Sequence, residues 1–235
     1  RSMRLLGIRP VTAPDEFTEI VEVVVEEAEI EEGYVKIIVT RGSDDHNFTI
    51  PARSALQPNV LVYGKPIDLN AIEKVQSGVN CITLDDDRGH HCDILSLNQL
   101  NNMMARAEAQ KKNCYDAVFI KDGLLTEASH SNVCIVKAGV IWTPATNEHM
   151  IRGVTRSLVL TRAAPSAGVT SIDEASEPVR FEDMMTAEEV FLTNSQDGII
   201  PVLSIDGNPI GGGKVGDVTK KIQEHYAHLM EDGLP

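Results

Sequence analysis

No stretch of this sequence stays apolar for the ~20 residues that a membrane-spanning helix needs, and no secretory hydrophobic region is present. The expectation is a cytoplasmic protein with no membrane partner. Basic residues are scarce, 21 against 35 acidic ones, for a formal charge of −14. Nucleic-acid binding needs clustered Lys and Arg to displace counterions, so a polyanion partner is argued against; one small phosphate needs only a local site. Cysteine is sparse and unpatterned. Cys81, Cys92, Cys114 and Cys134 lie far apart with no CxxC pair, which points to reduced thiols and away from disulfides or zinc. Repeats and low-complexity tracts are lacking as well. What is there is ordinary for a globular chain: 235 residues, 42% hydrophobic and 24% charged, enough for one large domain or two small ones with a real core.

The opening "RSMRLLGIRP" has no initiator methionine and reads as the end of a helix stopped by Gly7, with Pro10 just beyond. The expectation is that something precedes it. "APDEFTEIVEVVVEEAEIEEG" is a helix with Pro14 in its first turn, Asp15 and Glu16 at its positive end, and an apolar stripe of Phe17, Ile20, Val21, Val24 and Ala28. Strands follow at "YVKIIVTRG", "NVLVYGKPI" and "GVNCITL". Residues 1–84 therefore read as a small α+β domain, 85–94 as a linker around the polar "DDDRGHH", and 95–235 as a larger domain. In the latter a helix leads into a meander of strands turning at Asp122-Gly123, near His130, and at Ala138-Gly139. A helix over "RGVTRSLVLTRAA", two strands at "EEVFLTN" and "GIIPVLSI", and a closing amphipathic helix with Val218, Ile222, Tyr226 and Met230 complete it. This order predicts an α+β or barrel-like architecture, not a doubly wound parallel sheet.

Three groups of residues invite chemistry. Ser129, His130 and Ser131 are consecutive, so on a strand they alternate faces, and no GxSxG elbow surrounds them; bonding to backbone at a strand break is the plainer reading than a hydrolase nucleophile. His90, His91, Cys92 and Asp93 are adjacent, a poor arrangement for one ion, and no second cluster with ligand spacing exists, so no metal is expected. In "IRGVTRS", Gly153 allows an unusual backbone turn, and Val154 and Thr155 open a helix whose free N–H groups suit a phosphate. An ordinary Gly-then-Thr helix start is the alternative. "FLTNSQDG" supplies a second run of polar donors.

The order "DGLLTEASHSNVCIVKAGVIWTP", "IRGVTR", "AEEVFLTNSQDGIIPV", "SIDG" and "GDVTKKIQ" resembles the fold-type IV pyridoxal-phosphate enzymes. These are the class IV aminotransferases: branched-chain aminotransferases, D-amino acid transaminases and aminodeoxychorismate lyases. The resemblance covers nearly the whole chain. It implies a two-domain α+β fold, with a small α/β sandwich that is N-terminally incomplete here and a larger pseudo-barrel that holds pyridoxal 5′-phosphate. It further implies a homodimer and a reversible exchange of an amino group between an amino acid and a 2-oxo acid. Glu127 matches the glutamate facing the pyridine nitrogen, and Ile151 the apolar residue packed on the ring. Gly153, Val154 and Thr155 match the helix-start phosphate site; Asn194, Ser195 and Gln196 match the second phosphate loop.

One departure is central. The family reads like "DIKSLN" upstream, and its lysine forms the Schiff base and moves the proton; this chain has "CDILSLN", with Leu95 in that place. Leucine can do neither, so the chain as written is expected to be inactive. An engineered change, a natural loss and a modified lysine written as leucine would each account for it; the otherwise intact motifs favour the first or third. "CDI-SLN" is more similar to D-amino acid transaminases than to branched-chain L-amino acid aminotransferases, which are the runner-up, followed by aminodeoxychorismate lyases. Yet the substrate-carboxylate Arg and His of one such type are replaced, in ungapped register, by His46 and Phe48. A lone imidazole is a poor substitute for a bidentate guanidinium. A non-catalytic pyridoxal-phosphate binder is the alternative from outside the enzymes.

Overall fold

The computed structural model of the chain describes residues 1–11, 13–43, 56–169, 172–173 and 177–232. It divides into two compact units, Arg1–Leu69 and Asn70–Pro235. The first holds α1 (Ser2–Leu5), α2 (Pro14–Glu27), and an antiparallel pair, β1 (Gly33–Val39) and β2 (Val60–Pro66). The stripe expected on α2 is only partly covered: Phe17, Val21 and Val24 are half-buried, whereas Ile20 and Ala28 are exposed.

The second unit begins at Asn70, within the stretch 1–84 read from sequence as the small domain. After α3 (Leu69–Gln76), β3 (Val79–Asp85) runs parallel to both β4 (Asp116–Lys121) and β10 (Gly198–Ile205), so it belongs to the large sheet. The crossover from β3 to β4 is α4 (Leu100–Lys111), as parallel neighbours require. The rest of the sheet is made of β5 (Leu124–Ala128), β6 (Asn132–Lys137), β7 (Val140–Trp142), β8 (Ile172–Asp173) and β9 (Glu189–Asn194), in the order β5-β4-β3-β10-β9-β6-β7-β8; β11 (Asn208–Pro209) pairs with β10.

That order explains the curl. β5 and β6 are consecutive in the chain but separated by four strands, a distance of about 24 Å in a flat sheet at ~4.8 Å per strand. The four residue steps from Ala128 to Asn132 span at most ~14 Å, and the turn is tighter still, since the Ala128 N–H donates to the Ser131 carbonyl at 2.7 Å. The sheet must therefore roll into a half-barrel. The meander expected from sequence is two hairpins, β4–β5 and β6–β7, placed on different parts of the sheet. Their turns use left-handed pairs, Asp122-Gly123 (φ 52° and 79°) and Ala138-Gly139 (φ 52° and 72°), which match strand twist.

Several strands are buried on both faces, which is why they read as continuous apolar runs. On β6 and β9, Val133, Ile135, Val190 and Leu192 face one core; Cys134, Val136 and Phe191 face the other. The second core is roofed by α5 (Val154–Leu158), a wider π turn (Val159–Ala163), α6 (Ala164–Ser166) and α8 (Asp217–Glu231). The expected single helix over this segment is broken by the π turn, immediately before Pro165, which offers no N–H to the preceding turn. On α8, Val218, Ile222, Tyr226 and Leu229 pack inward, and Met230 is exposed. α7 (Phe181–Met185) sends Met184 into the first core. Among the described residues no helix is long and apolar enough to cross a membrane.

Candidate active site

Glu127 is fixed by the hairpin that carries it. Along β5, Leu125 to Ala128 are all buried, and only 5% of Glu127 is accessible. A buried carboxylate needs donors, and this one has three. Oε1 accepts from Arg88 Nη1 at 2.6 Å; Oε2 accepts from the Ile151 N–H at 2.9 Å and lies 3.3 Å from Asn132 Nδ2.

Arg88 comes from the stretch expected to be a surface linker; Asp85, Asp87, Gly89, His90 and His91 there are exposed, but Asp86 and the Arg88 side chain turn inward. Asp86 is 8% exposed and the Arg88 side chain 5%. Arg88 takes Asp86 as a fork, Nε to Oδ1 at 2.9 Å and Nη2 to Oδ2 at 2.8 Å, donates to the His149 carbonyl at 2.9 Å, and lies over the Phe119 ring at 4.2 Å. Thr126 donates to Asp86 at 2.8 Å. Two acids thus share one guanidinium beneath β5, and the "linker" is an inner wall of the site.

The sharing is unequal. Burial works against the charged form of Asp86, but its fork with Arg88 and the Thr126 hydroxyl hold its carboxyl below the usual range. Glu127 is pushed up to about 7, first by burial, against the opposing pull of Arg88 and the Ile151 N–H, with Asp86 adding a like charge. Burial disfavours the Arg88 cation too, yet the two acids raise its pKa overall. Glu127 therefore sits at the threshold of ionisation near neutral pH, while Asp86 and Arg88 stay charged.

Asn132, at the start of β6, ties Glu127 to the next segment. Its Nδ2 donates to the Ile151 carbonyl at 2.8 Å, and its Oδ1 accepts from the Gly153 N–H at 3.1 Å. Gly153 has an ordinary extended backbone (φ −66°, ψ 141°), so the unusual turn expected there is absent. Glycine is needed for a different reason: a Cβ would overlap Asn132 Oδ1. No side chain caps the α5 start that follows; Val154 is exposed and Thr155 buried. Thr193 lies directly opposite Asn132 across β6 and β9, hence on the same face. Its hydroxyl is buried without a hydrogen-bond partner among the described residues.

Beyond Thr193 the chain turns. Asn194 Oδ1 accepts from the N–H groups of Gln196 (3.0 Å) and Asp197 (2.7 Å), leaving Ser195 and Gln196 exposed at the tip. Ser129 and Ser131 both donate to the Asp116 carboxylate, and not to backbone as expected, so these hydroxyls are spent beside the β5–β6 turn. His90 and His149 each approach Glu148, at 3.6 and 3.7 Å, and among the described residues no group of three or more His, Cys, Asp or Glu could hold a metal ion.

A family model described as amino-transferase class IV matches residues 1–205. The chain belongs to the class IV aminotransferases. It is 31% identical over 231 residues to the D-alanine aminotransferase of Staphylococcus aureus (strain N315), an alignment covering 98% of this chain and 80% of that one. Among solved structures, the branched-chain aminotransferase of the archaeon Thermoproteus uzoniensis with norvaline superposes at TM-score 0.84 and 25% identity, over 97% of this chain and 75% of that one. The T.th. branched-chain amino acid aminotransferase complexed with N-(5′-phosphopyridoxyl)-L-glutamate superposes at TM-score 0.79 and 23% identity, over 97% and 74%, and shares the fold.

Class IV aminotransferases use pyridoxal phosphate, and the residues of this member fit such a group. A buried acid poised near neutrality, a buried hydroxyl lacking a partner, and an uncapped helix start beside an obligatory glycine occur together on or beside β5, β6 and β9. Hydrogen bonds link three residues expected from sequence, Glu127, Ile151 and Gly153, through Asn132. The Asn194 side-chain oxygen is used inside its own loop and its NH2 group reaches Ser131, which leaves Ser195 and Gln196 outward. Leu95 is 62% exposed in the segment before α4. His46 and Phe48 lie outside the described residues. Sequence reasoning missed Arg88, Asp86 and Asn132. Its available signal was a single arginine following three aspartates at a strand end, and an asparagine opening the strand after Glu127.

Proposed function

We propose that this chain binds pyridoxal 5′-phosphate on the scaffold of a D-amino acid aminotransferase, with D-alanine the favoured substrate type. Leu95 stands at the position of the Schiff-base lysine, so the chain as written does not transfer amino groups. The observation that carries the reading is the arrangement of Glu127, whose oxygens are held by Arg88 and by the Ile151 N–H, while Asn132 bonds both flanks of the neighbouring turn. Similarity to D-alanine aminotransferase over nearly the whole chain supports the substrate class. The reading includes a cytoplasmic homodimer, as the resemblance implies.

Pyridoxal phosphate, when bound, supplies an electron sink for a substrate carbanion. The protein's part is to bind and orient. Glu127 faces the pyridine nitrogen and holds a proton there; a pKa near 7 lets the carboxyl give or keep that proton at little cost. Ile151 packs on the ring. Gly153, Val154 and Thr155 offer backbone N–H groups and a hydroxyl to the phosphate, joined by Ser195 and Gln196, while Asn194 shapes the loop that presents them. At position 95 a leucine provides neither an amine to bond the cofactor nor a base to move the substrate proton.

The decisive experiment compares the parent with Leu95→Lys. The parent should bind pyridoxal 5′-phosphate, release it on denaturation after borohydride, and show no turnover of D-alanine with a 2-oxo acid. Leu95→Lys should retain the cofactor mass on residue 95 after borohydride and turn over D-alanine. A Leu95→Lys protein that binds cofactor yet transforms no D- or L-amino acid indicates a non-catalytic binder. A parent that binds no pyridoxal phosphate removes the cofactor reading.

A further inference from the structure

Asp116, at the start of β4, is fully buried and faces the turn between β5 and β6. Its Oδ1 accepts from the Ser129 hydroxyl and from the Ala117 N–H (2.7 Å); its Oδ2 accepts from the Ser131 hydroxyl (3.4 Å). Ser131 Oγ in turn accepts from Asn194 Nδ2 at 3.1 Å. The same Nδ2 lies 3.2 Å from Tyr115 Oη and 3.4 Å from Asp197 Oδ2, and Tyr115 donates to that oxygen at 2.5 Å. The other end of the amide, Oδ1, accepts the Gln196 and Asp197 N–H groups and so folds the 194–197 turn.

The polarity of this chain is forced. A carboxylate only accepts, so Ser131 spends its single proton on Asp116 and presents a lone pair to Asn194. Asn194 must answer with its NH2 group, which leaves its carbonyl for the two backbone N–H groups of the loop. The two backbone N–H groups and the Asp197 carboxylate demand the same orientation of the amide, so a Ser131 proton turned toward Asn194 would meet its NH2 group and break the link. The buried acid thereby holds Ser131 in the one orientation that can accept from the amide folding the loop that carries Ser195.

Building on the cofactor reading above, we propose that Asp116 is a positioning residue for the phosphate end of the site, acting through Ser131 and Asn194. It touches no ligand itself. Ser129 serves as an internal control, because it bonds the same acid without touching Asn194.

The test titrates the full chain with pyridoxal 5′-phosphate and with unphosphorylated pyridoxal by calorimetry, and reads the ratio of the two affinities. Ser131→Ala and Asp116→Asn should cut the preference for the phosphorylated ligand by about tenfold, the scale of one hydrogen bond to a charged group. Ser131→Thr, which keeps the hydroxyl, and Ser129→Ala should retain the parent's ratio. A general loosening of the fold would lower both affinities together and leave the ratio unmoved. If Asp116→Asn does not fold, Ser131→Ala and Ser131→Thr decide. The proposal is overturned if Ser131→Ala keeps the parent's preference, or if Ser129→Ala loses it equally. A parent that shows no preference for the phosphorylated ligand removes the cofactor reading and this proposal with it, whereas a parent preference unchanged in Ser131→Ala removes this proposal alone.

Discussion

Replacing Glu127 by Gln should remove a loss of stability that the unliganded protein undergoes as pH rises from 5 to 8. Burial raises the carboxyl to about 7 from an ordinary value of 4.5, so the fold favours the protonated form. For a carboxyl raised in this way, its contribution to stability is present below the unfolded value and is lost as pH rises through the window between 4.5 and 7. Between pH 5 and pH 8 the loss is about 2.5 kcal/mol, from the proton affinities of the two states at 1.36 kcal/mol per pKa unit. Glutamine does not titrate, but it has a single acceptor oxygen, so its NH2 group meets either Arg88 or the Ile151 N–H and carries a fixed cost at every pH. Relative to the parent, the variant should therefore gain about 2–3 kcal/mol between pH 5 and pH 8, on top of that fixed cost. Urea unfolding of both proteins at several pH values, followed by the fluorescence of Trp142, the chain's single tryptophan, measures the difference. Because Trp142 lies on β7 of the same sheet, the signal reports the unit that contains Glu127. A parent-to-variant difference that does not change with pH would refute the reasoning.

Arg88→Met should lower stability by about 3–5 kcal/mol at pH 8, because it leaves Asp86 and Glu127 buried without their shared cation. The loss should shrink at pH 5, where Glu127 accepts a proton; an equal loss at both pH values in urea melts would contradict the shared-guanidinium account. Gly216→Ala should lower Tm by several degrees, since a Cβ there would overlap Glu189, whose carboxylate accepts the Val218 and Thr219 N–H groups at 3.0 and 2.7 Å and so caps α8. Loss of that cap costs about 1–2 kcal/mol, and an unchanged calorimetric Tm would show that the α8 start does not depend on it.

Much of this protein was legible in its sequence, because local chemistry settled it. Asp122-Gly123 and Ala138-Gly139 announced left-handed hairpin turns, the apolar runs of β6, β9 and β10 marked strands buried on both sides, and the order of motifs marked the family. Glu127 and Ile151 were singled out only through the resemblance to that family. What tertiary structure decided is whatever depends on strand order and on who sits opposite whom. β3 joined the large unit because its partners, β4 and β10, lie far along the chain. "DDDRGHH" looks solvated in sequence, since charge is normally exposed; only the curl that brings Asp86, Arg88 and Glu127 together makes a buried network tolerable there. Gly153 illustrates the same divide: its type was visible, but the reason for it is a side-chain oxygen 21 residues away in sequence. Residue type determines what each position can donate or accept, and the fold alone decides which partner it meets.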